Sequence, residues 1–156
     1  MTGGVADGID LREARSPADW AAVQAVRTRV FIDEQACPPE EEWDAHDAAN
    51  ARGRTVHHLL AVRDGVSVGC ARWRAVPDGT VKLERFAVVP EARGLGLARA
   101  LVARCLADAR AAGHRRFALH AQTYVAGLYA GFGFAPEGGV FDEAGIEHVK
   151  MTLEDG

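Results

Sequence analysis

Leu83-Glu84-Arg85-Phe86-Ala87-Val88-Val89-Pro90-Glu91-Ala92-Arg93-Gly94-Leu95-Gly96-Leu97-Ala98 decides the reading of this chain, together with the helix-forming Arg99-Ala100-Leu101-Val102-Ala103-Arg104-Cys105-Leu106 that follows. The pattern predicts a strand, a glycine-containing turn and a helix. The first N–H groups of a helix lack an intrahelical acceptor, and the helix dipole puts positive potential there. Glycines at 94 and 96 let the backbone approach a ligand with no side chain in the way. The expectation is an anion site, taking a phosphate or pyrophosphate.

Three phosphate-binding turns compete for this segment. A nucleoside-triphosphate loop requires Lys-Ser or Lys-Thr after its last glycine, and Leu97-Ala98 stand there instead. A dinucleotide turn requires glycine or alanine three residues after the second glycine, and Arg99 occupies that place. The Arg-x-x-Gly-x-Gly/Ala turn of acyl-coenzyme A transferases is matched by Arg93, Gly96 and Ala98. An ordinary strand-to-helix connection remains the plain alternative, because a glycine pair alone is weak evidence.

Two further segments sharpen the choice. Leu119-His120-Ala121-Gln122 is followed by Tyr129-Ala130-Gly131-Phe132-Gly133-Phe134. Val30-Phe31-Ile32-Asp33-Glu34-Gln35 is followed by Glu42-Trp43-Asp44-Ala45-His46-Asp47. Together with 83–98, these segments resemble the GNAT superfamily of acyl-CoA N-acyltransferases, and the Glu-Gln pair and acidic run resemble its ElaA/YjcF-like branch. They occur in the family order over about residues 26–151. The resemblance implies a single α/β domain whose mixed, mostly antiparallel sheet is flanked by helices. It also implies that strands four and five splay apart to admit the pantetheine arm of acetyl-CoA.

The chain's 156 residues suffice for one domain with a proper core. Residues 1–7 read as a flexible tail and 8–156 as the domain. Hydrophobic content of 48% and charged content of 26% are ordinary for a globular chain. A net charge of −4 argues against nucleic-acid binding, which needs a basic face. Cys37, Cys70 and Cys105 are odd in number and lack metal-ligand spacing, so free thiols in a reducing compartment and no metal are expected. Cys70 and Cys105 read as buried small hydrophobes. Met1 to Gly8 lack the charged and apolar regions of a signal peptide, and no apolar run nears the ~20 residues of a spanning helix. The expectation is a cytoplasmic protein with no membrane partner; a homodimer is compatible with the reading.

Along the chain, a strand is expected over 9–13. Ser16-Pro17-Ala18-Asp19 reads as a helix start, with serine as cap, proline in the first turn and an early acid. Trp20, Val23, Val26, Val30 and Phe31 continue it at helical spacing. Residues 34–55 form a long acidic loop, of the kind that is often functional. Strands 58–62 and 66–76 make a hairpin about Asp64-Gly65. Further strands are expected over 81–89, 116–121, 134–136 and 146–153, with helices over 96–112, where Gly113 is the stop, and 124–131.

The resemblance implies direct acetyl transfer from acetyl-CoA to an amine, here read as a small-molecule amine. The pyrophosphate falls to Arg93, Gly94, Leu95, Gly96, Leu97 and Ala98. The pantetheine falls to the backbone of Phe86, Ala87 and Val88, and Gln122 joins the coenzyme-binding set. Tyr129 is the candidate acid for the leaving thiolate, since a phenol of pKa ~10 holds its proton at neutral pH, with a buried tyrosine anchoring its helix as the structural alternative. Strand alternation places Glu84 on one face with Phe86 and Val88, where desolvation would raise its pKa towards that of a base. A salt bridge to Arg72, Arg74 or Lys82 is the structural alternative, and His120 is the rival base. Glu34, Gln35, Glu40, Glu41, Glu42, Asp44 and Asp47 of the acidic loop could draw a cationic acceptor. Glu34, Gln35, Asp44 and Asp47 are the leading candidates, with His148 added on the last strand. A solvated acidic run and a packed core histidine are the plain alternatives. A protein or peptide N-acetyltransferase and a non-catalytic acyl-CoA-binding module remain open.

Overall fold

Strand β1 (Ile9–Glu13) and helix α1 (Pro17–Arg27) open residues 8–156, the part of the chain described by the structure, a computed structural model. The tail expected over 1–7 lies outside the described residues. Ser16 caps α1 by accepting the Asp19 amide at 3.0 Å, and Pro17 takes the first turn. The helix passes into a π-helical turn (Thr28–Glu34), a short α2 (Pro39–Glu42) and a 3-10 turn (Ala45–Asp47). The acidic loop is therefore partly helical. Then come β2 (Val56–Arg63), β3 (Val66–Ala75), β4 (Val81–Val88), α3 (Leu97–Ala111), β5 (Arg116–Gln122), α4 (Ala126–Ala130), β6 (Ala135–Glu143) and β7 (Ile146–Glu154).

The seven strands form one sheet in the order β1-β2-β3-β4-β5-β7-β6. All neighbours are antiparallel except β4 and β5, which are parallel. Asp64 and Gly65 both adopt positive φ, 50° and 81°, as a two-residue hairpin turn of this hand requires.

Each face carries its own core. On one, α3 and α4 bury Leu101, Val102, Cys105, Leu106 and Tyr129 against Leu59, Ala71, Leu83, Phe117, Leu119 and Met151. On the other, Val23, Val26 and Val30 pack on Leu60, Cys70 and Ala87. Cys70 and Cys105 are buried free thiols, and burial pushes the Cys70 thiol up to about 12. Among the described residues no helix is long and apolar enough to cross a membrane.

Two sequence expectations change. The strand expected over 134–136 continues to Glu143 as β6, with a register shift between Pro136 and Val140 where Gly138 and Gly139 lie. Its side chains are exposed nearly throughout, so no apolar alternation marked it. Strand β4 also departs from simple alternation. Arg72 pairs with Glu84 and Cys70 with Ala87, so two steps along β3 face three along β4. Arg85 sits in this bulge at φ +60°. The extra residue reverses the faces. Glu84 points to the α1 side with Arg72, whereas Phe86 packs on the α3–α4 core. Glu84 therefore does not share a face with Phe86 and Val88.

Candidate active site

The ladder between β4 and β5 is two residues long, Val81 with Phe117 and Lys82 with Ala118. Beyond it the strands part, and among the described residues the outer edge of β4 from Leu83 to Val88 has no strand partner on that side. Unpaired backbone groups at such an edge are available to an extended amide-bearing chain. Of the three residues expected to present them, Ala87 has a buried side chain in the α1 core, and Phe86 and Val88 are half-buried. The Val88 carbonyl is already occupied, accepting from Arg93 Nε at 2.9 Å.

The turn after β4 is built as its glycines require. Gly94 and Gly96 take φ +83° and +79°, and Gly96 is the cap of α3. A Cβ at Gly94 would meet nothing within 4 Å, so positive φ rather than crowding selects glycine there. Among the described residues, the amides of Gly94 through Arg99 have no backbone acceptor, and the cap residue supplies no side chain in their place. Leu97 anchors this end of α3 in the α1-side core, while Leu95 and Ala98 are half-buried. Arg93 is not free at the turn. Its guanidinium makes a two-pronged pair with Glu34, at 2.8 and 2.6 Å, which holds the Glu34 carboxyl below the usual carboxylate range.

Tyr129 projects from α4 into the α3-side core, with its ring centroid 5.8 Å from Phe86 and 6.3 Å from Phe134. It is 6% exposed, and burial pushes its phenol well above the usual value. The hydroxyl therefore keeps its proton throughout the neutral range.

Glu84 stands in a different environment from the one expected. Its Oε2 accepts from Arg72 Nε at 2.7 Å and Arg74 Nε at 2.8 Å, with Lys82 Nζ 3.6 Å from Oε1. Burial alone would raise its pKa, but the Arg72, Arg74 and Lys82 charges outweigh that and hold it below the ordinary value. The expected upward shift is thus reversed, and the ion-pair alternative describes this side chain.

Asp44 and Asp47 belong to the same buried ionic cluster. Asp47 Oδ1 accepts from Arg27 at 2.6 Å and from Arg72 at 3.0 Å, and its Oδ2 accepts from Arg27 and from the Asp44 amide, each at 3.1 Å. Asp44 takes both terminal nitrogens of Arg72 at 2.9 Å. Arg27 completes its set with Glu42 Oε2 at 2.7 Å and stacks under Trp43 at 4.5 Å. Burial opposes ionisation of both aspartates; the arginines reverse its effect, so both pKa values lie low. Their oxygens are committed to arginine, which leaves the acidic field expected at these two positions largely neutralised.

Gln35 accepts from Gln122 Nε2 at 3.1 Å, tying the end of β5 to the π-helical turn. His148 is buried on β7, its Nδ1–H donating to the Ile146 carbonyl at 2.7 Å. His120 is partly exposed, and its Nδ1 is 2.8 Å from Glu143 Oε1.

Comparison with known proteins decides the family. The sequence model of the acetyltransferase (GNAT) domain matches residues 25–155. The chain belongs to the GNAT family of acetyltransferases. It is an acyltransferase, in a family whose members use acyl-CoA donors. A Bacillus subtilis protein provisionally described as an acetyltransferase is 33% identical over 147 residues, covering 94% of this chain and 97% of that protein. Escherichia coli ElaA superposes with a TM-score of 0.81 at 25% identity, over 94% of this chain and 99% of its own. An acyl-CoA N-acyltransferase from Pseudomonas aeruginosa superposes with a TM-score of 0.80 at 28% identity, over 93% and 97% of the two chains.

In this GNAT chain, the sequence assigned no role to Arg27 or Arg85, and it offered Glu42 as one acid of the loop instead of a buried partner of both. Arg27 sits at the end of the apolar helix stripe, and its side chain is fully buried. Its spacing was the available signal, four residues after Val23 and one after Val26, on the inward side of α1. Arg85 Nη2 donates to the Glu42 carbonyl at 2.9 Å, and its Nε stands 3.2 Å from Glu42 Oε2.

Proposed function

We propose that this GNAT acyltransferase is an N-acetyltransferase moving the acetyl group of acetyl-CoA directly to a primary amine of a small molecule. The observation that carries the reading is the run of unpartnered amides from Gly94 to Arg99, set at positive-φ glycines beside the parted β4–β5 edge. A diphosphate suits these donors, because each amide can donate to an anionic oxygen at the positive end of α3. The pantetheine amides would lie along Phe86, Ala87 and Val88, with Gln122 opposite on β5. The similarity to the P. aeruginosa acyl-CoA N-acyltransferase supports an acyl-CoA donor.

When bound, the thioester supplies an activated acyl carbon. The chain's own groups do the rest. Tyr129 holds a proton that can be given to the departing sulfur, and its burial keeps that proton in place until negative charge develops nearby. Glu34 and Gln35 line the acceptor side, held by Arg93 and Gln122 respectively. Asp44 and Asp47 shape that side through their arginines instead of binding the amine. His148 lies near it on β7. We place the protein in the cytoplasm, as its free thiols suit a reducing compartment.

Titration calorimetry with acetyl-CoA tests the donor site, and thiol release with tyramine, spermidine, glutamate and an alanine-initiated peptide tests the acceptor class. Binding with thiol release by the small amines and none by the peptide is the expected result. Absence of heat with acetyl-CoA, or release with the peptide alone, refutes the reading.

A further inference from the structure

His120 and Glu84 occupy equivalent positions on either side of the β4–β5 opening. Lys82 pairs with Ala118 at the last rung, and each residue lies two positions further along its strand. Two steps along a strand restore the same face, so both side chains project on the face away from α3. Both therefore flank the opening as candidate proton acceptors for an arriving amine.

The pair is not equivalent in chemistry. Glu84 is bound by Arg72, Arg74 and Lys82, which disfavour its protonation. His120 is held at one edge only. Its Nδ1 lies 2.8 Å from Glu143 Oε1, across 23 residues of sequence, and an ionised carboxylate only accepts, so Nδ1 carries the hydrogen. Phe141 fixes the ring from another side, edge-on at 5.0 Å and 79°. Nε2 bonds to none of the described residues and is left with its lone pair. His120 also stands at one end of a cavity of about 390 Å³ whose other lining residues, among them Asp78, Thr80, Arg116 and Glu154, lie towards the paired ends of β4 and β5, so the ring sits between that cavity and the opening.

From this geometry we infer that His120 is the general base of the acetyl transfer and that Glu143 is the residue that positions it. The inference rests on the transferase reading above. In the step, the amine nitrogen forms its bond to the acyl carbon and passes its proton to His120 Nε2. The carbon–sulfur bond breaks, and the sulfur takes the Tyr129 proton. His120 then releases its proton to solvent and Tyr129 regains one from it, so the site returns to its starting state. Glu143 holds the tautomer in which Nε2 is bare and stabilises the imidazolium that forms. His148 Nε2 lies 3.7 Å from the other oxygen of Glu143, whose side chain is 48% exposed.

Full-length protein labelled with ¹⁵N-histidine provides a readout independent of any acceptor. Long-range ¹H–¹⁵N spectra should show His120 protonated at Nδ1 and bare at Nε2, and Glu143→Ala should redistribute the proton. With the fastest amine of the panel above, His120→Ala and His120→Gln should each lower kcat by about 10²-fold while acetyl-CoA affinity stays unchanged. Glu143→Gln should lower kcat by about tenfold without changing the KM for the amine. Added imidazole should restore part of the His120→Ala turnover. A bare Nδ1 in the spectra, or a folded His120→Gln enzyme with wild-type kcat, overturns the assignment. Wild-type protein that binds acetyl-CoA but releases no thiol with any amine overturns the transferase reading itself, a separate outcome.

Discussion

Replacing Asp47 by alanine separates a structural aspartate from an acceptor-binding one. Asp47 is 8% exposed and bridges Arg27, whose side chain is wholly buried, to Arg72, which is 1% exposed. Removing one partner of a buried ion pair costs about 3–5 kcal/mol, because a charge is left without its counter-charge. Here Arg27 keeps Glu42, and Arg72 keeps Asp44 and Glu84, so the low end, about 3 kcal/mol, applies. For a chain of this length each kcal/mol lowers Tm by about 2–4 °C, which gives a fall of about 6–12 °C. Thermal and urea unfolding followed by circular dichroism at neutral pH measure both quantities. Asp47→Asn keeps an oxygen acceptor and should fall between the wild type and alanine. A stability loss under about 1 kcal/mol, with a raised KM for the amine, would refute the argument and return Asp47 to the acceptor site.

Three other changes test other parts of the molecule. Gly96→Val forces a β-branched residue into φ +79° at the α3 cap; acetyl-CoA affinity measured by calorimetry should fall by about tenfold, and an unchanged affinity would show that the turn does not hold the donor. Tyr129→Phe should leave acetyl-CoA affinity intact and lower kcat by about 10²-fold, and undiminished turnover would remove the acid role. His58 is buried and, among the described residues, has no hydrogen-bond partner at either ring nitrogen; burial, then the Arg27 charge, brings its pKa down to about 4 from 6.5. Its unfolded form takes up a proton that the folded form refuses, so stability falls as pH drops from 6.5 to 4, by roughly 3 kcal/mol in all. His58→Leu should flatten urea-unfolding stability over that window relative to wild type, and parallel curves would contradict it.

What the sequence disclosed was local. Ser16-Pro17 announced α1, Asp64-Gly65 the first hairpin, and Gly94 and Gly96 the turn before α3, because caps and positive-φ turns are set by the residues that form them. The parting of β4 from β5 came from family resemblance. The bulge at Arg85 left no trace, since arginine does not advertise a positive φ and one extra residue barely disturbs an apolar pattern. The acids from Glu42 to Asp47 read as an acceptor-drawing field or a solvated run, and they are neither. Their partners Arg27 and Arg72 lie 15 to 28 residues away in sequence, and only the fold brings them into contact. Glu84 was identified as a residue of consequence, but its cross-strand arginine changed the sense of its titration.

Arg85 gives the molecule a mechanical linkage. An L-residue at positive φ relaxes away from that conformation unless something restrains it, and here the restraint is a guanidinium hooked to the carbonyl and carboxylate of Glu42. The rim that would meet the acceptor and the strand that would carry the donor are thereby riveted together. Altering the loop to admit a different amine also disturbs the seat of the thioester, so exchanging acceptor preference in this scaffold requires compensating change at the rivet.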